Sequence, residues 1–257
     1  MPILGKYRSV NSAVELCRAL DILENRRLYL SPVAALNDPL EGRGFSYRIN
    51  GYAGISILTN AGYLPVPVRE SIERHEALCL TSNCASPQMW VHYADGFRGI
   101  CVCMKRNGSL SAAERVEYCD QTKDPGVGMI ETGEELDSLT HQGLLVKQDG
   151  WAYEEEYRIV RKSNDGVVTH YWELEPDDIV AVIIGHCAKE EVANLIRKTC
   201  ERLSIPLYRT HIRDMSRRIE IVPDDFRVEF AGEMLDDQLK RYFDSHPMKP
   251  FSVLESE

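Results

Sequence analysis

Apolar positions along this chain switch between a period of two and a period near 3.6, and the switches mark out alternating strands and helices. Residues 5–9 read as a first short strand and 12–24 as a helix. Ser12 and Glu15 form a capping-box pattern, and Leu16, Cys17, Leu20 and Leu23 share one face. Leu28-Tyr29-Leu30 reads as a strand that Ser31-Pro32 stops, and Leu36 to Gly42 carries turn chemistry through Asn37, Asp38 and Pro39. A helix over Val68–Glu76 leads into a strand over Ala77–Ser82. Pro87 suits the first position of a short helix over 88–94, with Gly96 just past its end, and a strand follows over 99–104. Further on, the pattern predicts a loop over 120–133, a helix over 134–146, and strands over 156–161 and 167–174. Ile179–Ile184 is a continuous apolar run suited to a strand covered on both faces. An amphipathic helix over 188–203, with Val192, Leu195, Ile196 and Leu203 inward, and a strand over 205–210 complete a strand-helix-strand unit whose strands are expected to be parallel. The expected class is α+β, with one domain over 1–222 and an acidic appendage with one helix over 223–257; residues 43–66 follow neither period.

Composition narrows the setting. With 257 residues, 44% hydrophobic and 27% charged, the chain has enough apolar material for a sizeable core. A formal net charge of −10 argues against whole-molecule attraction to nucleic acid or to an anionic membrane surface. No apolar run approaches the roughly 20 residues needed to span a bilayer, and Met1 to Lys6 lacks the charged-then-apolar pattern of a secretory signal, so a cytoplasmic protein is expected. Eight cysteines scattered from Cys17 to Cys200 are then expected to be reduced. Cys101 and Cys103 alternate onto one strand face, but no C-x-x-C spacing occurs. They read as buried apolar thiols, and no metal ligand set is expected.

Four clusters hold polar residues that packing alone does not require. Lys6-Tyr7-Arg8-Ser9 sends an Arg off the first strand, suited to bidentate contact with phosphate or carboxylate or to a surface ion pair. Asn37-Asp38-Pro39-Leu40-Glu41 combines turn residues with two carboxylates. Met89-Trp90-Val91-His92-Tyr93-Ala94-Asp95 places His92 between aromatic residues, where it can act as a base, bond a ribose hydroxyl, or be structural. Trp151-Ala152-Tyr153-Glu154-Glu155-Glu156-Tyr157-Arg158 sets three carboxylates against a buried strand. In strand geometry Glu154 and Glu156 share a face with Arg158, while Glu155 points to solvent. The Glu-x-Glu pair suits stabilisation of a cationic transition state, with one acid assisting the other, or a simple ion pair with Arg158.

These four motifs, in this order and together with Gly99, resemble the bacterial family catalogued as domain of unknown function 2971, over roughly residues 5–185. Beneath that lies a resemblance to ADP-ribosyltransferases of the Arg-Ser-Glu type, carried by Arg8, by Leu80-Thr81-Ser82 and by Glu154-x-Glu156. Leu80 departs from the Ser-Thr-Ser pattern, and the gaps between elements are longer than in compact transferases. The resemblance implies a mixed, strongly bent, split sheet and NAD as a substrate. Arg8, with Tyr7 beside it, would hold a phosphate and Ser82 the nicotinamide ribose side. Trp90, Tyr93 and Trp151 would stack on the ring, with Asn37, Asp38 and His92 completing the site. Glu156 would stabilise the oxocarbenium ion and Glu154 would orient or deprotonate the acceptor, a protein or a nucleic acid. A toxin or phage-defence role fits such chemistry. Two other readings stand beside it: a metal-dependent nuclease or phosphotransfer enzyme using His92, Asp38, Glu41 and Glu156, and a non-catalytic module that binds a nucleotide or peptide.

Overall fold

In the computed structural model, the described residues are 2–42, 66–120, 130, 132–163, 170–213 and 218–224. The helix expected around 232–245 and the segment 43–65 lie outside them. In chain order the strands are β1 (Ile3–Arg8), β2 (Arg27–Tyr29), β3 (Ser31–Pro32), β4 (His75–Thr81), β5 (Ile100–Lys105), β6 (Glu114–Arg115) and β7 (Glu117–Tyr118). They continue with β8 (Val146–Lys147), β9 (Glu156–Lys162), β10 (Tyr171–Glu173), β11 (Ile179–Ile184), β12 (Leu207–Arg213) and β13 (Arg218–Pro223). The helices are α1 (Ala13–Asn25), α2 (Val66–Glu73), α3 (Pro87–Tyr93), α4 (Gly133–Gly143) and α5 (Glu190–Leu203). The fold is α+β, with mixed strand pairing and peripheral helices. The chain groups into two compact units, each assembled from separated segments: 1–25, 84–108 and 176–257 in one, 26–83 and 109–175 in the other.

In the first unit the strand order is β13-β12-β11-β5-β1. β5 runs antiparallel to both β1 and β11, and Ile100 through Met104 are all fully buried, which explains the unbroken apolar run. β11 and β12 are parallel, as the strand-helix-strand pattern predicts, and α5 provides the crossover. α5 buries Ala193, Ile196, Thr199 and Cys200; Leu195, expected inward, is exposed, because the buried stripe lies one position away from it. In α1 the capping box forms: Ser12 Oγ accepts from Glu15 N at 3.2 Å and the Glu15 carboxylate accepts from Ser12 N at 3.0 Å. Its buried face is Ala19, Ile22 and Leu23, and Cys17, expected inward, is exposed. β12, expected over 205–210, spans Leu207–Arg213 and pairs antiparallel with β13, a strand that the apolar pattern does not announce.

The second unit is built on β3-β4-β9-β6, all antiparallel. Val33, Val68, Ile72, Ala77, Ile130, Leu136, Leu139 and Leu144 form its packed core. α4 starts in a full capping box between Thr132 and Glu135, and it packs on α2 where Ser71 Oγ donates to Asp137 at 2.6 Å. The expected strand over 167–174 is realised as β10, paired with β2; positions 167–169 lie outside the described residues.

Candidate functional site

The acidic triplet does not sit in one strand. Asp149–Glu154 forms a 3-10 helix, Glu155 takes a left-handed conformation at φ 43° and ψ 51°, and β9 begins at Glu156. The strand alternation expected for Glu154 and Glu156 is therefore corrected: the two share surroundings because a helix end and a strand start converge. Both are buried, at 3% exposure each.

What they meet is a buried ion-pair network within the second unit. Arg158, 1% exposed, donates through Nη1 and Nη2 to both oxygens of Glu41, each at 2.6 Å. It donates through Nε and Nη2 to both oxygens of Glu156, at 2.8 and 2.9 Å, and through Nη1 to the Leu144 carbonyl at 2.6 Å. Those five bonds use all five guanidinium donors. Lys147 Nζ lies 2.6 Å from Glu154, 3.3 Å from Glu156 and 4.0 Å from Glu41, with the Trp151 ring centroid at 4.6 Å. Tyr118 Oη accepts from the Glu156 backbone N–H at 2.8 Å.

Burial alone would raise the Glu156 pKa, but Arg158 and Lys147 outweigh it and hold the carboxyl down at about 2. Burial likewise would lower Lys147, and the Glu156 and Glu154 charges reverse it and raise the ammonium pKa. Burial, with Glu156 and Glu154 nearby, pushes the Tyr118 phenol up to about 12. Glu156 is thus an ionised carboxylate with both oxygens committed. Sequence reasoning anticipated Arg158 as a partner for one Glu, but missed Glu41 and Lys147.

Glu41 reaches this network through the turn at 38–42. Asp38 Oδ1 accepts from Leu40 N at 2.8 Å, and the Asp38 carbonyl accepts from Glu41 N at 3.2 Å. Asp38 is 5% exposed and caps its own turn, which fits the turn reading of that motif; Asn37 is exposed.

The third carboxylate behaves differently from its neighbours and from expectation. Glu155, expected to face solvent freely, is half-buried and held at the end of β4: its Oε1 accepts from Asn83 Nδ2 at 2.8 Å and its Oε2 from Ser82 Oγ at 3.2 Å. Ser82 N donates to the Glu155 carbonyl at 3.1 Å, and Thr81 Oγ1 donates to the Glu154 carbonyl at 2.6 Å. The Thr81-Ser82-Asn83 segment and the triplet are therefore bound together, with Thr81 registered opposite Glu156. Chemically, this corner offers one partly exposed carboxylate with fixed orientation, beside a hydroxyl and an amide.

The remaining candidates lie in the first unit. Trp90 is fully buried, donates from Nε1 to the Cys84 carbonyl at 3.0 Å, stacks on Phe97 at 5.7 Å and meets the edge of Tyr7 at 5.1 Å. With Tyr7 only 6% exposed, this aromatic set is core, and the expectation that Trp90 stacks on a ligand ring is corrected. Arg8 ends β1, half-buried and opposite Ile100; α3 packs on β1, presenting His92 exposed and Tyr93 half-buried. Gly99 is required here: a Cβ would fall 2.2 Å from the Arg8 carbonyl oxygen. Among the described residues no helix is long and apolar enough to cross a membrane. No family model, curated protein or solved structure matches this chain.

Proposed function

We propose that the protein is an NAD-using ADP-ribosyltransferase or NAD glycohydrolase whose working carboxylate is Glu155. The observation that carries this reading is the state of Glu155: a non-glycine residue held at φ 43°, between a 3-10 helix and a strand, with both carboxylate oxygens oriented by Ser82 and Asn83. A left-handed conformation costs an L-residue roughly 1–2 kcal/mol, and such strain concentrates where a side chain has to be aimed.

In this reading the bond between nicotinamide and ribose breaks and its electron pair leaves on the nicotinamide nitrogen. The Glu155 carboxylate stabilises the positive charge left on the ribose carbon, and water or an acceptor hydroxyl, amine or guanidine attacks that carbon and loses its proton to solvent. Glu156 and Glu154 do not bear the reacting charge, because their carboxylates are spent on Arg158 and Lys147. Their part is to hold the backbone on either side of Glu155.

Incubation with NAD and chromatographic detection of free nicotinamide is the direct test. Release by the wild type and its loss in Glu155→Gln are expected; no release by the wild type, or undiminished release by Glu155→Gln, overturns the proposal. A binding module without turnover is the second reading, favoured by the sequestration of Glu154 and Glu156. Thermal stabilisation by nucleotides with no product identifies it.

A further inference from the structure

Cys101 and Cys103 alternate on β5 and so present their thiols to one face. On that face the cross-strand neighbours of Cys103 are Gly5 of β1 and Ala181 of β11, which leave its flanks nearly bare; those of Cys101 are Tyr7 and Ile183. Into this space comes Cys84, from the irregular segment between β4 and α3, fixed by the Trp90 hydrogen bond to its carbonyl. The three sulfurs lie within 4.8 Å of one another, with Cys84 and Cys103 at 3.7 Å, and the residues are 5%, 0% and 0% exposed.

A metal–sulfur bond of about 2.3 Å places two ligating sulfurs about 3.8 Å apart at tetrahedral angles and about 4.0 Å apart at trigonal angles. The Cys84–Cys103 pair already stands at ligand spacing, and the third sulfur lies within 4.8 Å of both. Without a metal, Cys103 Sγ donates a weak hydrogen bond to Cys84 Sγ at 3.7 Å; with one, the three thiols that converge from two strand positions and a loop can act as ligands together.

Among the described residues no His, Asp or Glu joins the cluster. The cluster offers a hard cation no carboxylate among the described residues, and a structural zinc site would lack a fourth ligand from His, Cys, Asp or Glu. Three buried soft donors satisfy a three-coordinate thiophilic ion.

We propose that Cys84, Cys101 and Cys103 form a buried site for a soft monovalent d10 metal ion of the Cu(I) class. Binding replaces S–H bonds with S–metal bonds, and each thiolate formed releases its proton to solvent, so affinity rises with pH. No electron is transferred. Binding fastens the Cys84 segment to β5, between β11 and β1.

The test loads the full-length reduced protein anaerobically with Cu(I), and in a parallel arm with Zn(II), then dialyses it against a competing chelator. Metal is counted by elemental analysis and the sulfur-to-metal charge-transfer absorption is recorded. About one Cu(I) per chain is expected in the wild type and about none in Cys101→Ala/Cys103→Ala. Should that pair of changes unfold the protein, Cys84→Ser alters only the loop ligand and is expected to lose the same ion with the far-ultraviolet circular dichroism unchanged. Cys17→Ser and Cys187→Ser, at exposed thiols, leave retention intact. Retention undiminished by loss of the cluster thiols, no retained ion in the wild type, preferential retention of Zn(II), or a Cys84–Cys103 disulfide in place of metal binding each overturns the assignment.

Discussion

Replacing Arg158 by Met isolates what the buried network contributes. The substitution keeps an unbranched apolar stem and removes five hydrogen bonds, four of them to carboxylates. In the wild type, Glu41, Glu154 and Glu156 face Lys147 and Arg158, three negative charges against two positive; without Arg158 the balance is three against one. Glu41 is left with Lys147 at 4.0 Å and loses its two bonds of 2.6 Å. Removing one partner from a buried ion pair costs about 3–5 kcal/mol, a large share of the 5–15 kcal/mol typical of a folded domain. Urea unfolding at neutral pH, followed by circular dichroism, measures the loss. The double variant Glu41→Gln/Arg158→Met removes the orphaned charge and is expected to recover at least ~1 kcal/mol relative to Arg158→Met. A cost below ~1 kcal/mol for Arg158→Met, or strict additivity in the double variant, would refute the claim that these side chains act as a unit.

Three further outcomes follow from single features. Glu156 is held at about 2 against an unfolded value near 4.5, so it contributes stability that is present above pH ~4.5 and lost as pH falls toward 2, on the order of 3 kcal/mol; acid titration should show that loss in the wild type and its absence in Glu156→Gln, which is destabilised at neutral pH instead. Gly99→Ala drives its Cβ to within 2.2 Å of the Arg8 backbone carbonyl oxygen, and neither atom can rotate away; a cost of about 3 kcal/mol in chemical unfolding is expected, and a neutral result would contradict the close approach of β1 to that loop. Glu155→Gly relieves the left-handed strain while losing the bonds from Ser82 and Asn83, and stability within about 1 kcal/mol of the wild type is expected together with loss of nicotinamide release. Unfolding curves and the NAD assay on the same sample separate the two effects.

Local signals in the sequence were sufficient where the structure is local. Ser12 with Glu15 located the start of α1, Pro87 the start of α3, and Ile179–Ile184 a strand with the predicted bounds. Helix faces were misread by one position at Cys17 and Leu195, because an apolar side chain on the rim of a stripe is indistinguishable from one at its centre until the partner surface is known. The triplet was misread more deeply. An all-polar run carries no periodicity, so nothing in the letters separated a 3-10 helix ending at Glu154 from a strand beginning at Glu156. The partners of Arg158 were equally hidden: Glu41 lies 117 residues away, and Lys147 sits in a two-residue strand too short to leave a pattern. The Cys84, Cys101 and Cys103 cluster escaped for the same reason, since β5 announces two thiols on one face while only the folded chain supplies the third.

The separation of Glu41 from Arg158 also sets an order on biosynthesis. At roughly 5–20 residues per second, the 117 residues between them take on the order of 6–23 seconds to emerge from the ribosome. Throughout that interval Glu41 lacks the Arg158 guanidinium that receives it in the finished fold, so the turn that carries it cannot take its final buried place. A nascent chain that stops just short of Arg158 holds Glu41, Glu154 and Glu156 with Lys147 as their one network counter-charge, so the network is complete only once β9 arrives.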